Sequence, residues 1–268
     1  MLLRNFLTMK SISKTSKIII DPGHVGNSYF DFRYFKIDNI EFREGDFTFA
    51  WAQILQKMLL EKFNKIELTR VMGQPSVVIS QDVLAFRKKE LEDTIGYEAS
   101  LKKFRVPVNF FPLHSPNEFF EAAIQNEADL LNRASVATNN NYDFCFSLHL
   151  NGDPTALKTA KNGICGFTNK LSIKHYMLFE KIIANIAKHT DLPILQIETL
   201  EEIASGVFVD ESLTLLNNIG IPTLLIEGPF QNNPQELILL NNSFNAFSND
   251  EEITGRLEQL SSAIVNSL

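Results

Sequence analysis

Gly220-Ile-Pro-Thr-Leu-Leu-Ile-Glu-Gly-Pro-Phe-Gln-Asn-Asn233 is the stretch on which the reading of this chain turns. Its apolar run, residues 221 to 226, has the length and composition of a buried strand, and it ends on a carboxylate, Glu227. Taking a carboxylate out of water costs several kcal/mol unless a cation, a metal or hydrogen-bond donors compensate. The mouth of an α/β sheet, beyond the carboxyl ends of its strands, is where such proteins keep their chemistry. A solvated Glu after a strand is equally compatible with this stretch alone, so the rest of the chain must say what meets Glu227.

Working outward, two more apolar runs end in ionisable groups. Lys17-Ile-Ile-Ile-Asp-Pro-Gly-His24 reads as a short β-branched strand closed by a tight turn, since Pro and Gly do not continue a central strand. Residues 142 to 148 form a second continuous strand, ending in His149-Leu-Asn151. Between them the apolar spacing of Phe47, Ala50, Trp51, Leu55, Met58 and Leu59 predicts a helix over residues 46 to 63, followed by a strand at 66 to 68. Ser115-Pro-Asn-Glu118 has the spacing of a helix start, with one helix or two short ones running to about Thr138. Strands are expected at 164 to 167 and around 221, and helices at about 173 to 189 and through Ile253, Leu257, Leu260 and Ile264. Ser248-Asn-Asp-Glu251 is read as the start of that last helix. Residues 28 to 43 read as a loop or small hairpin, and 192 to 211 as loop with a short strand.

Strand alternating with helix predicts an α/β fold with right-handed crossovers. The expected architecture is one domain over residues 1–268, a mostly parallel or mixed central sheet flanked by helices on both faces. Residues 71 to 113, with a helix at about 84 to 104 and Pro-bearing aromatic segments, read as an insertion at the sheet edge or a lid. At 268 residues and 30.4 kDa the chain can bury a large core, and its 22 Phe suit that role. The net charge of -7, without a dense Lys/Arg cluster, argues against nucleic acid and against a polybasic membrane patch. No apolar stretch is long enough for a membrane span, and the N-terminal residues interrupted by Arg4 do not make a clear signal peptide. Cys145 and Cys165 are either buried thiols or one disulfide.

Parallel strands bring their carboxyl ends to one edge, so His24, His149 and Glu227 are expected together, with Glu44 on the same edge ahead of the first helix. Two imidazoles and a carboxylate are a common catalytic zinc set, and a second carboxylate that does not bind metal can carry a proton. The other histidines, His114, His175 and His189, read as surface residues of the insertion or of lysine-bearing helical segments.

The Lys17–His24 run, the segment Glu44-Gly-Asp-Phe-Thr-Phe, the stretch Asn132-Arg-Ala134 leading to Phe146-Ser-Leu-His-Leu-Asn151, and Pro222–Asn233 together resemble, in order, the motifs of the zinc-dependent N-acetylmuramoyl-L-alanine amidases of the type 3 family. The resemblance covers nearly the whole chain apart from 71 to 113. It implies hydrolysis of the amide between N-acetylmuramic acid and L-alanine of the peptidoglycan stem peptide. It implies one Zn2+ per chain, held by His24, Glu44 and His149, with Glu41 a lesser competitor for the carboxylate place, and Glu227 as general base and acid. Arg133 and Asn151 fall at positions that support the site from behind or touch substrate. Peptidoglycan or a muropeptide is then the partner, a monomer the expected state, and the periplasm, cell envelope or exterior the expected location, with the cytoplasm the alternative in the absence of a clear leader. Three departures from the family pattern, Val25-Gly-Asn27, Leu150 and Pro229, touch the groove walls. They leave two other readings in view: a non-catalytic cell-wall binding module on the same fold, and a zinc amidohydrolase for another amide.

Overall fold

A computed structural model of the chain describes residues 12–25, 34–95, 116–153, 156–252 and 255–268. Its central feature is one seven-stranded sheet in the order β4-β1-β5-β9-β6-β8-β7, where β1 is Lys17–Pro22, β4 Lys65–Leu68, β5 Phe144–Asn151, β6 Cys165–Thr168, β7 Glu201–Ala204, β8 Val207–Val209 and β9 Thr223–Phe230. Strands β4, β1, β5 and β9 run parallel; β6 pairs antiparallel with β9 and parallel with β8, and β7 closes that edge antiparallel. The sheet is therefore mixed, and its parallel half carries the ends of β1, β5 and β9 to one edge. A separate hairpin, β2 (Tyr34–Ile37) and β3 (Ile40–Arg43), precedes the first helix.

Helices cover both faces because the strands are apolar on both faces. Ile18, Ile19 and Ile20 are all fully buried. Ile18 and Ile20 pack into the larger core with Phe144, Phe146, Leu224 and Ile226, beneath α1 (Glu44–Leu60), α4 (Tyr176–Thr190) and α7 (Arg256–Ser267). Ile19 turns the other way, into a smaller cluster with Cys145, Ala134 and Ala137 of α3 (Pro116–Asn139) and Leu215 of α5 (Thr214–Asn218). This alternation along each strand is the period of two that a pleated chain imposes. The expected α/β architecture, one domain with a mixed sheet flanked on both faces, is the one observed.

Several local expectations shift. The first helix begins at Glu44, two residues earlier than its apolar spacing suggests, and residues 28 to 43 supply a hairpin at their described end. Residues 192 to 211 hold the β7–β8 hairpin, turned at Gly206 with φ +70. The helix expected at 173 to 189 splits into a 3-10 turn over Lys170–His175 and α4 proper. Ser115 lies outside the described residues, and the helix after it is a single one. Part of the 71–113 segment is α2 (Gln81–Ile95), which leans on α3: Leu84 packs on Ile124, and Gln125 accepts from Ile79 N and donates to the Val77 carbonyl in the stretch ahead of α2.

Two readings are corrected. Ser248-Asn-Asp-Glu251 does not start the last helix; it closes α6 (Pro234–Ser248), a helix whose own start is Asn233, accepting the amide protons of Gln235 and Glu236 through its side chain, with Pro234 at the first position. A Ser-x-x-Glu spacing caps a helix only where the chain turns into one, and here Asp250 takes φ +56, the left-handed conformation that ends helices. The last helix starts at Arg256 instead. His175 is buried, 8% exposed, and not a surface residue: its ring stacks on Phe179 and meets Phe144 edge-on. Burial, with Lys174 adding to it, holds its imidazole below the ordinary value. Both cysteines are buried free thiols, on strands separated by β9.

Candidate metal centre

The turn Asp21-Pro22-Gly23-His24 leaves the sheet with His24 at φ +54, a left-handed conformation uncommon for a residue with a Cβ. What holds it there is a buried polar scaffold. Arg133 of α3, 1% exposed, donates to Asp21 Oδ1 at 2.8 Å and to the Pro22 carbonyl at 3.0 Å, and its Nε lies 2.9 Å from Asp129 Oδ2. Asp21 also accepts from Thr69 and Ser147, each at 2.7 Å. Burial by itself would raise the Asp21 carboxyl; the Arg133 charge and those two hydroxyls outweigh it and hold the group below its usual value. Arg70 donates to the carbonyls of Pro22 and Gly23 at 3.2 and 3.1 Å, and Thr48 of α1 also donates to the Gly23 carbonyl.

Glu44 opens α1, where the positive end of the helix dipole favours a carboxylate. It is 1% exposed, and both of its oxygens are held: Oε1 by the Leu150 amide at 3.0 Å, Oε2 by Gln231 Nε2 at 2.9 Å. The same Oε1 lies 3.5 Å from His24 Nε2 and 3.7 Å from His149 Nδ1. His149 sits near the end of β5, 5.3 Å from His24 between ring centroids. The three ligand atoms all lie within 4.8 Å of one another, the only such His/Cys/Asp/Glu group among the described residues.

A tetrahedral ion with bonds of roughly 2.0–2.1 Å spaces its ligand atoms about 3.3 Å apart, close to the 3.5 and 3.7 Å from Glu44 Oε1 to the two imidazoles. Two protonated imidazoles sharing one carboxylate would repel each other; a cation between neutral rings and an ionised Glu satisfies all three. The donor set thus fits a zinc-type ion. Glu227 stands beside it, opposite His149 in the parallel β5–β9 register and so on the same face of the sheet. The four residues line one cleft of about 240 Å3, to which α3 contributes Asn126, Leu130 and Arg133.

The register of β9 also places Pro229. Leu150 pairs with Gly228 and Asn151 with Phe230, so Pro229 is the extra residue of a bulge, a position where a missing amide proton leaves no gap in the ladder. Two residues past Pro229, Gln231 meets Glu44.

The model of one protein family, N-acetylmuramoyl-L-alanine amidase, matches residues 112–255, more than half of the chain and the part that contains Arg133, His149, Asn151 and Glu227. The chain belongs to that family. His24 and Glu44 lie ahead of the matched segment, and the fold is what joins them to it. An N-acetylmuramoyl-L-alanine amidase from Clostridium difficile superposes with a TM-score of 0.56 at 19% identity, covering 95% of each chain. The CwlD amidase from Clostridioides difficile, solved in complex with the GerS lipoprotein, gives 0.57 at 18%, covering 94% of this chain and 96% of that one. An N-acetylmuramyl-L-alanine amidase from Mycobacterium abscessus gives 0.56 at 12%, covering 96% and 97%. At these identities the likeness is one of fold. No curated protein sequence matches the chain.

The structure therefore gathers His24, Glu44, His149 and Glu227 in one cleft and puts Arg133 beneath the His24 turn. Glu41 lies on β3, outside the gathered set. Asn151 ends β5, its carbonyl accepting from Gln231 N at 2.8 Å. Sequence reading missed Asp21, Thr48, Arg70 and Gln231 as parts of the site. Asp21 carried a signal, a carboxylate at the end of an all-Ile strand; Arg70 and Gln231 carried none, because each reaches the site only through the fold.

Proposed function

We propose that this chain is a zinc-dependent hydrolase of the amide between N-acetylmuramic acid and the L-alanine of the peptidoglycan stem peptide. The observation that carries the reading is the convergence of His24, Glu44 and His149 on a common point with Glu227 alongside, in a chain of the N-acetylmuramoyl-L-alanine amidase family. In this reading His24 Nε2, Glu44 Oε1 and His149 Nδ1 hold one Zn2+. When bound, the ion supplies a Lewis acid for the scissile carbonyl and the attacking water. Glu227, across the strand pair from His149, takes the proton of that water and hands it to the leaving nitrogen, so that L-alanine departs as an amine and not as an amide anion. Arg133, through Asp21 and the Pro22 carbonyl, keeps His24 in its strained conformation. Asn151 keeps the chain beyond β5 in place against β9.

Residues 1–268 act as a single catalytic domain with the 71–113 segment as an insertion or lid, and the described part of that segment, residues 71–95, packs through α2 on α3. Peptidoglycan or a muropeptide is the partner, the chain acts as a monomer, and it works in the cell envelope or outside the cell. No described helix is long and apolar enough to cross a membrane.

The deciding experiment pairs elemental analysis of the purified protein with release of stem peptides from isolated sacculi. The expected result is stoichiometric zinc and peptide release, with Glu227→Gln retaining the metal and losing about 100-fold or more in turnover. A Gln variant as fast as wild type would remove Glu227 from the mechanism. Metal without release would remove this substrate, and neither metal nor release would leave a binding module.

A further inference from the structure

We propose that Gln231 is a positioning residue for the metal centre: its side-chain amide ties down Glu44 Oε2, so that Oε1 alone is offered between His24 and His149. The inference rests on the metal-centre reading above and deepens it. Gln231 is 2% exposed and lies two residues past Pro229, the extra residue of the β9 bulge. Its Nε2 donates to Glu44 Oε2 at 2.9 Å and to the Leu150 carbonyl at 3.3 Å. The Leu150 amide donates in turn to Glu44 Oε1, so one residue of β5 and one side chain just past β9 clamp both carboxylate oxygens. The orientation of the amide is set by chemistry, since its oxygen turned toward Glu44 would face an anion.

Two further observations separate this from ordinary core filling. Gln231 Oε1 is buried and finds no hydrogen-bond partner among the described residues. A buried amide with an unmet acceptor lowers stability, and an apolar side chain of the same length would remove that cost. What the amide does satisfy is a buried carboxylate at the centre of the candidate site, where groups behind a ligand fix its orientation and tune its affinity. Gly152 belongs to the same arrangement: a Cβ on it would come within 3.2 Å of Gln231 Nε2.

Gln231→Met tests the assignment, because Met keeps the length and deletes both amide atoms. The dissociation constant for zinc, measured by competition with a chromophoric chelator, is expected to rise about 10- to 100-fold. The absorption spectrum of the Co2+-loaded protein should change with it, reporting an altered carboxylate ligand. The unfolding midpoint of the metal-free protein should fall only modestly, because losing the donor to Glu44 Oε2 is partly offset by removing the unmet Oε1. Gln231→Leu, a second apolar replacement, should give the same pattern where Met packs poorly. Unchanged zinc affinity with an unchanged cobalt spectrum in the folded variants would overturn the inference. So would a loss of affinity that only tracks a matching loss of metal-free stability. Wild-type protein that binds neither ion is a different outcome: it sinks the metal-centre reading itself, and this inference with it.

Discussion

Gly23 occupies a place where a methyl group has no room. A Cβ there would stand 2.6 Å from His149 Nδ1 and Cε1 and 2.6 Å from the Leu148 carbonyl oxygen, and the carbonyl cannot yield without moving β5. Gly23→Ala should therefore cost roughly 1–3 kcal/mol in overpacking, read by chemical denaturation. The sharper effect falls on His149, whose Nδ1 faces Glu44: zinc affinity in the same variant should drop about tenfold or more, by chelator competition. A variant that binds zinc as wild type does would show that the ring can move aside freely. At this scale the sequence was informative where an ionisable group sits at the end of an apolar run, as at His24, His149 and Glu227, which the fold brings into one cleft. It was silent on Gln231, which stands 187 residues from Glu44 and is brought to it only by the fold.

Helices α6 and α7 are joined by a buried ion pair that the sequence did not disclose. Arg256 grips Glu236 with two bonds, Nε to Oε2 at 2.7 Å and Nη2 to Oε1 at 2.9 Å, and also donates to the Thr190 carbonyl that ends α4. A cation in the first turn of α7 opposes the helix dipole, so the pair and the Thr190 bond must account for its presence. Removing one partner strands the other charge: Arg256→Met alone should cost about 3–5 kcal/mol, while Arg256→Met combined with Glu236→Leu should recover most of it. Denaturant titration of the four proteins of that cycle checks this, and additive losses would show that the two groups act independently. Strands and long amphipathic helices were legible in residue order because burial imposes their periods. The α6 start was not, since Asn233-Pro234 looked like more of the loop after Glu227, and the Ser-x-x-Glu spacing further on offered a false alternative.

For the molecule as a whole, the depressed Asp21 carboxyl links folding to acid. Its folded value lies below the ordinary 3.8, so the stability it contributes is complete above that pH and is lost as pH falls through the folded value. Wild-type stability in denaturant should thus decline more steeply below about pH 4 than that of Asp21→Asn, which starts lower but lacks this proton-linked loss. Equal slopes would mean that Asp21 titrates alike in both states. The α/β class was legible from alternating strands and helices, whereas the strand order was not, because it depends on pairings far apart in the chain. That order has a consequence for how the protein is made. β9 is the last strand synthesised, yet it lies in the middle of the sheet, between β5 and β6. Until it leaves the ribosome, β5 has one neighbour missing and the β6–β8–β7 segment has no parallel half to join. Half-made chains thus carry two bare apolar strand edges, the kind that pair with other chains. The strand that brings Glu227 to the cleft is also the one whose arrival stops the protein from sticking to itself.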